Sequence, residues 1–412
     1  MKKKSTPVRG TRDILPIEME LRDYLQNKIL DIYRTHGFER IETPALEDLD
    51  LLLNSDGGEN IKMLFTILKR GNKLRLQEGS SIKDICDIGL RYDLTLPLSR
   101  FYTNNRETLQ YPFRSIQIDN VYRAERPQKG RFRSFKQCDI DIIGEENESA
   151  EIELIDTTTK ALKEIGLKEF VVRINDRRIL SSIIIAAGFK EEDISSVSIT
   201  LDKLDKIGED GVEKELISKD YEKGKVARLV DNINSVNEEN ISSIVENDKI
   251  VQEMLNVINT IRTLSNGAYK IEFDPTLVRG MGYYTGQIFE ISYGPYGFSI
   301  AGGGRYDNMI ENISNKQIPA VGFSIGFERI ITILKEEGRE YITNKHKIAL
   351  LYNKKDNITE VIKKADEFRE NNYSVTMIYA KKKLSKQIDN LKEQNYNYFL
   401  VFGKDEEVKE IK

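Results

Sequence analysis

The chain has 412 residues, 39% apolar and 32% charged, with a formal net charge of −4. It is too long for one compact core, so two or three domains are expected, and its global charge does not mark a nucleic-acid binder. Two cysteines and two histidines nearly exclude a disulfide framework or a Cys/His zinc site.

The opening Met1-Lys2-Lys3-Lys4 is followed by polar residues, and no apolar stretch could span a bilayer. A cytoplasmic protein without a membrane partner is expected. Pro16 opens a helix whose stripe is Ile17, Leu21, Leu25, Ile29, Ile32 and Tyr33, with Gly37 as its C-terminal cap. His36, at the end of that helix, suits a role against the helix dipole rather than catalysis. His346 lies in a lysine-rich connector, where a solvated side chain is expected. Phe38–Thr43 is strand-like and stops at Pro44. Strand signals then dominate from Leu74 to Gly144. The clearest is a pair of strands around Arg126-Pro127-Gln128-Lys129-Gly130. Its return strand puts Cys138, Ile140 and Ile142 on one face and Gln137, Asp139 and Asp141 on the other.

Ser149–Ile165 is expected to be a helix and Val171–Ile174 a strand, with Asn175 and Asp176 able to cap the next helix. Residues of about 178–265 suggest a mostly helical insertion, with a short strand at Val197–Leu201. Strands return at Ile271–Phe273, Gln287–Tyr293, Phe298–Ala301 and Val321–Ile325, before a helix at Glu328–Glu336. The expected domains are residues 1–335, a linker at 336–345, and residues 346–412. In the last, alternating strands and helices predict a small α/β domain with a parallel sheet. The segment Lys345–Lys412 carries 15 Lys/Arg against 11 Asp/Glu, a mild basic excess that suits a solvated surface.

Four segments carry chemistry. Gly37–Pro44 alone suggests a cap, a strand and a turn. Of the fifteen residues Arg123–Gln137, six are basic, which suits either a solvated hairpin tip or a polyphosphate or RNA site, since Arg forks match phosphate oxygens. Leu277–Gly286 with Ala301–Asp307 is glycine-rich and tyrosine-bearing. Glycines in strands mark kinks or close approach of a ligand, and neither a P-loop nor a dinucleotide fingerprint is present. Val321–Ile330 runs from a strand into a helix whose first turn holds Arg329, where anions are favoured.

In this order the segments resemble the three signature motifs of class II aminoacyl-tRNA synthetases. Arg123–Arg133 is similar to motif 2 of the histidyl-tRNA synthetase family, and Arg279–Gly286 with Ala301–Asp307 is similar to its two histidine-specific motifs. Arg91-Tyr92-Asp93-Leu94-Thr95 resembles its amino-acid-binding strand, and Leu201–Gly208 part of its insertion. The resemblance implies an α+β catalytic core with an antiparallel sheet, a helical insertion and a small α/β C-terminal domain of the anticodon-binding kind, which stops soon after Phe402.

It also implies a histidine–tRNA ligase that forms histidyl-adenylate from histidine and ATP and then charges tRNA(His). Arg123 and Arg279 are then the catalytic cations at the α-phosphate, with Arg279 also meeting the histidine carboxylate. Arg131 and Arg329 hold the outer phosphates, and Glu125 lies near the adenine. Asp93, Thr95 and Gln137 receive the histidine ammonium. Asp141, Tyr283, Tyr284 and Tyr306 surround the imidazole. Magnesium would ride mainly on the phosphates, and motif 1 implies a homodimer. The chain departs from the family at Gly282, where Asp is frequent, and at Asp93 and Asp141, where Glu is frequent. The rival that the resemblance leaves is the histidine-sensing regulatory subunit of ATP phosphoribosyltransferase. It typically lacks the C-terminal domain and has degraded ATP-site arginines. A bare RNA-binding or scaffold protein would leave the glycine- and tyrosine-rich motifs without a purpose.

Overall fold

The computed structural model describes residues 5–54, 62–127, 130–245, 247–278, 282–294, 299–339 and 346–411. Two compact units emerge, Met1–Ile14 with Leu25–Arg339, and Leu15–Tyr24 with Glu340–Lys412. The expected linker falls largely outside the described residues. In chain order the first elements are α1 (Pro16–Thr35), β1 (Glu39–Arg40), β2 (Leu46–Asp48), α2 (Leu49–Asn54), β3 (Phe65–Leu68), α3 (Ile82–Ile85), β4 (Cys86–Leu90) and α4 (Thr95–Asn105). Next come β5 (Phe113–Tyr122), β6 (Ser134–Ile143), α5 (Ser149–Glu164), β7 (Phe170–Asp176), α6 (Arg177–Ala186), α7 (Ile194–Leu201), α8 (Leu204–Ser218), α9 (Lys223–Ser235) and α10 (Asp248–Ser265). The first unit closes with β8 (Lys270–Phe273), β9 (Gln287–Tyr293), β10 (Ser299–Arg305), α11 (Asn308–Ser314), β11 (Ala320–Gly326) and α12 (Phe327–Glu336).

The C-terminal half of α1 buries Leu25, Ile29, Leu30 and Tyr33. Gly37 follows with φ 80°, a backbone that a β-carbon disfavours. The His36 ring caps the helix through Nδ1, 2.8 Å from the Ile32 carbonyl. Only Glu39–Arg40 of the strand-like Phe38–Thr43 pairs, in parallel with β5.

The large sheet has the order β1-β5-β6-β11-β10-β9-β7-β8. Within it β5, β6, β11, β10, β9 and β7 are successively antiparallel, and the edge strands β1 and β8 pair in parallel with β5 and β7. Cys138, Ile140 and Ile142 of β6 lie opposite Ile325, Phe323 and Val321 of β11. All six are buried, with α5 packed on β11 and α12 on β6. Each such side chain contributes about 1.5–3 kcal/mol by leaving water. The other face of β6, with Gln137, Asp139 and Asp141, is also buried. The sheet is thus covered on both sides, and its polar face belongs to a cleft.

The segment Leu74–Gly144 is not all strand. Helix α4 interrupts it, and a separate three-stranded sheet of order β2-β4-β3 precedes that helix. Around α4, Leu49, Leu52, Tyr92, Leu96, Tyr102 and Phe113 form a core that also receives Tyr306. In the insertion, Val197–Leu201 belongs to helix α7, not to a strand. Its β-branched residues raise strand propensity, but Val197 and Leu201 are buried and α7 packs along α8. Packing overrides the local preference.

The smaller unit contains β12 (Lys347–Tyr352), α13 (Ile358–Glu370), β13 (Ser374–Tyr379), α14 (Leu384–Glu393), β14 (Tyr398–Val401) and β15 (Lys409–Glu410). Its sheet has the order β13-β12-β14-β15. The first three strands are parallel, and the two-residue β15, which the pattern did not announce, is antiparallel. Alternation along β12 gives one face to each helix. Ala349 and Leu351 pack with Leu391 of α14, whereas Leu350 packs with Val361 and Ala365 of α13.

One buried ion pair ties the sheet to α5. Arg305, the last residue of β10, donates from Nε and Nη2 to Glu151 at 2.6 and 2.7 Å. Arg305 also donates to the Glu145 carbonyl at 3.0 Å. Arg305→Ala leaves Glu151 buried without its cation and is expected to cost about 3–5 kcal/mol, read as a lower denaturation midpoint. Replacing both partners by Met and Leu recovers much of that loss. Equal losses in the single and double variants would contradict this account.

Candidate active site

A cleft of about 610 Å³ opens on the polar face of the large sheet. Its walls include Asp93, Thr95, Arg123, Glu125, Arg131, Gln137, Asp141, Tyr283, Tyr284, Tyr306 and Arg329. Eleven of the twelve site residues expected from the sequence therefore meet in one cavity. The twelfth, Arg279, lies outside the described residues.

The register of three strands builds the floor. Gln137, Asp139 and Asp141 of β6 stand opposite Gly326, Ser324 and Gly322 of β11. On the other side they face Asp119, Gln117 and Ser115 of β5. The glycines make room for the acids. A β-carbon on Gly322 would come within 1.9 Å of Asp141 Oδ1, far inside van der Waals contact. One on Gly304 would meet the Gln287 carbonyl at 2.6 Å and the Tyr284 ring at 2.9 Å. The Ala301–Asp307 run is thus glycine-rich for reasons of space.

At one end lie the phenols. Tyr306 donates its hydroxyl to Asp141 Oδ1 at 2.7 Å. Tyr283 packs at 4.8 Å from Tyr284 and at 6.1 Å from Tyr306, centroid to centroid. Its hydroxyl lies 3.5 Å from Asp93 Oδ2. Tyr283 is therefore positioned by rings and a carboxylate, although Gly282 offers no side chain beside it. Asp93 sits between β4 and α4 instead of within a strand, and its Oδ1 accepts the Leu96 amide at 3.2 Å. That junction is anchored by Arg91, which is 2% exposed. Arg91 donates to the Asn120 and Thr43 carbonyls and pairs with Asp119 at 2.7 Å. Gln117 adds a bond to the Leu94 carbonyl at 2.9 Å. Thr43 belongs to the first motif, so this buried network links that motif to the acidic pocket.

At the other end lie the cations. Arg123 Nε donates to the Tyr92 carbonyl at 2.9 Å, and its guanidinium lies 5.1 Å from the centre of the Phe135 ring. Both contacts hold the fork without neutralising it. Arg131 is exposed at the mouth. Arg329, in the first turn of α12, donates to the Ser299 carbonyl. The strand running through Gly326 into that helix supplies its position, with a helix N-terminus that also favours anions.

Electrostatics divide the cleft. Burial pushes the Asp141 carboxyl up to about 7, the Tyr306 hydroxyl opposing and Asp93 adding to the rise. Burial and then Asp141 push Asp139 well above the usual carboxylate range. The Asp139 carboxylate itself was missing from the expected site. Its signal was the period-two alternation that puts it between Gln137 and Asp141.

A sequence model described as "Histidyl-tRNA synthetase" matches residues 10–330. The chain belongs to the histidyl-tRNA synthetase family. A histidine–tRNA ligase of Leifsonia xyli is 43% identical over 347 residues, covering 80% of each chain. A probable histidine–tRNA ligase of Tropheryma whipplei is 40% identical over 405 residues, covering 93% of this chain and 92% of the relative. Among solved structures, the histidyl-tRNA synthetase of Nostoc sp. PCC 7120 superposes with a TM-score of 0.79 at 25% identity, covering 97% of this chain and 91% of that one. A Bacillus halodurans structure described as an ATP phosphoribosyltransferase regulatory subunit/histidyl-tRNA synthetase has a TM-score of 0.76 at 22% identity, covering 97% of each chain. That likeness shows the shared fold alone.

The floor of this family's cleft can be tested in two ways. Gly322→Ala displaces the Asp141 carboxylate and is expected to weaken histidine binding at least tenfold, measured by calorimetry, in a protein that stays folded. An unchanged affinity would contradict the steric argument. The second test concerns pH. The Asp141 carboxyl binds its proton more tightly in the folded chain than in the unfolded one. The stability this gives is full below about pH 4 and is lost as pH rises through about 7. Asp141→Asn removes that loss. Relative to the wild type, the ligand-free variant should gain roughly one to a few kcal/mol between pH 5 and pH 8, while binding histidine poorly. A stability difference that does not change with pH would contradict the assignment.

Proposed function

We propose that this chain activates histidine with ATP and transfers the histidyl group to the terminal adenosine of tRNA(His). The observation that carries this reading is a single cleft with arginines at one end and buried acids with phenols at the other. Histidine and ATP have complementary ends. One presents an ammonium and an imidazole, and the other a polyphosphate.

In the first step the histidine carboxylate attacks the α-phosphate in line and pyrophosphate leaves. In the second, a 2′- or 3′-hydroxyl of the tRNA attacks the acyl carbon and AMP leaves. Neither step needs a covalent enzyme intermediate. The demand is for positioning and for charge stabilisation in a site poor in water. Arg123 meets the α-phosphate, and the motif match gives Arg279 the same phosphate and the histidine carboxylate. Arg131 and Arg329 take the outer phosphates, and Glu125 lies beside the adenine. Asp93, Thr95 and Gln137 receive the ammonium. Asp141, Tyr283, Tyr284 and Tyr306 enclose the ring. Hydrogen bonds to the ring reject apolar amino acids, because an unmatched buried polar group is costly.

Among the described residues no group of three or more His, Cys, Asp or Glu could hold a metal. Magnesium is proposed to enter with ATP, where it would partly neutralise the phosphate charge. The same reading assigns residues 1–335 to catalysis, with the helical insertion at about 178–265, and 346–412 to the anticodon. It also includes a homodimer formed through the first motif, and a cytoplasmic location. No helix among the described residues is long and apolar enough to cross a membrane.

The test is histidine-dependent exchange of pyrophosphate into ATP. The wild type should catalyse it. Arg123→Ala and Arg279→Ala should each lower it by about 10²–10³ with the fold intact. Absence of exchange in folded protein that still binds histidine would favour the regulatory reading.

A further inference from the structure

Three acceptor atoms on one face of β6 meet no hydrogen-bond donor among the described residues: Gln137 Oε1, Asp139 Oδ1 and Asp141 Oδ2. All three side chains line the cleft, and their residues are 9%, 3% and 2% exposed. Buried acceptors without donors are costly. A face that keeps three in a row is built for a ligand that brings donors.

The family reading gives Gln137 and Asp141 work and leaves Asp139 with none. Its geometry supplies one. Residues two apart on a strand stand about 6.6–6.8 Å apart, close to the span of a histidine from its ammonium nitrogen to the far edge of its ring. Asp141 is fixed at the ring end by the Tyr306 hydroxyl. Asp139 lies one such step along the strand, toward Gln137 and the arginine end. Gln137 is held there by the bond from its Nε2 to Ser324 Oγ at 2.7 Å. The charged and titratable groups around Asp139 are Asp93, Asp141 and Arg123, with the Tyr306 and Tyr33 hydroxyls. With the two other carboxylates included, the negative charge exceeds what Arg123 offsets. An organic cation that brings several N–H donors matches these acceptors.

We propose that Asp139 is a further substrate-binding residue, whose carboxylate accepts the histidine ammonium beside Asp93 and Gln137, while Asp141 takes the ring. The proposal deepens the reading of this cleft as a histidine site and rests on it. A carboxylate makes a charge-assisted bond to an ammonium that an amide cannot equal. The raised proton affinity of the ligand-free Asp139, caused first by burial and then by Asp141, is the expected state of a carboxyl awaiting its cation. Two carboxylates at the ammonium also favour α-amines over neutral analogues.

The experiment compares three ligands on the full-length protein by calorimetry: histidine, histidinol and 3-(imidazol-4-yl)propionate, which lacks the amine. Asp139→Asn keeps the shape of the side chain and removes its charge. It is expected to weaken histidine and histidinol by about ten- to a hundredfold and to leave the propionate unchanged. In pyrophosphate exchange it should raise the histidine KM while the ATP KM holds. Asp141→Asn, in contrast, should weaken all three ligands. Thermal denaturation of each variant separates a binding defect from unfolding, and Asp139→Glu serves as a second variant that should recover part of the amine affinity. Equal weakening of the propionate by Asp139→Asn, or unchanged histidine affinity, overturns the proposal. A wild type that binds no histidine sinks the underlying reading instead.

Discussion

The structure depends on taking acidic side chains out of water on a strand that cannot move. Gln137, Asp139 and Asp141 are fixed by two ladders, one to β5 and one to β11. Their opposite face is an apolar core packed against α5 and α12. A carboxylate on a mobile loop would turn outward to water. On this strand it has nowhere to go, so burial raises its proton affinity and its demand for a cation. The cost in stability is offset by the apolar core beneath.

The same logic explains residues that never touch a substrate. Glycines at 304 and 322 leave space for acids and rings. Arg91 spends its guanidinium on carbonyls and on Asp119, which fixes the turn that presents Asp93. Site residues come from β6, the β4–α4 junction, the segment after Gly282, the residue after β10, and α12. A shift of one residue in either ladder would turn the acids into the apolar layer.

Much of this was legible in the sequence. The strand pair, the alternating faces of β6, the helical insertion and the alternating α/β tail follow from periodicity. The arginines and tyrosines followed from the order of the motifs. The features that were not legible have physical causes. The alternation 137-139-141 showed a polar face but not that it was buried, because burial is set by distant chain. Asp93 was placed in a strand by its resemblance to a strand of the family, although an Asp that accepts an amide three residues on, as Asp93 does from Leu96, is a local mark of a helix start. Val197–Leu201 carries strand-forming residues and became helix through its packing on α8. Arg305, inside a motif of the substrate site, instead faces Glu151 of α5, separated from it by more than 150 positions.

The central claim is that burial raises the proton affinity of the acids in the cleft, so that a bound cation draws protons from them. Calorimetry of histidine binding near pH 7, in buffers of different ionisation enthalpy, measures this directly. The account predicts saturable binding with net release of a fraction of a proton to the buffer. Binding with no proton release, or with net uptake, would contradict it.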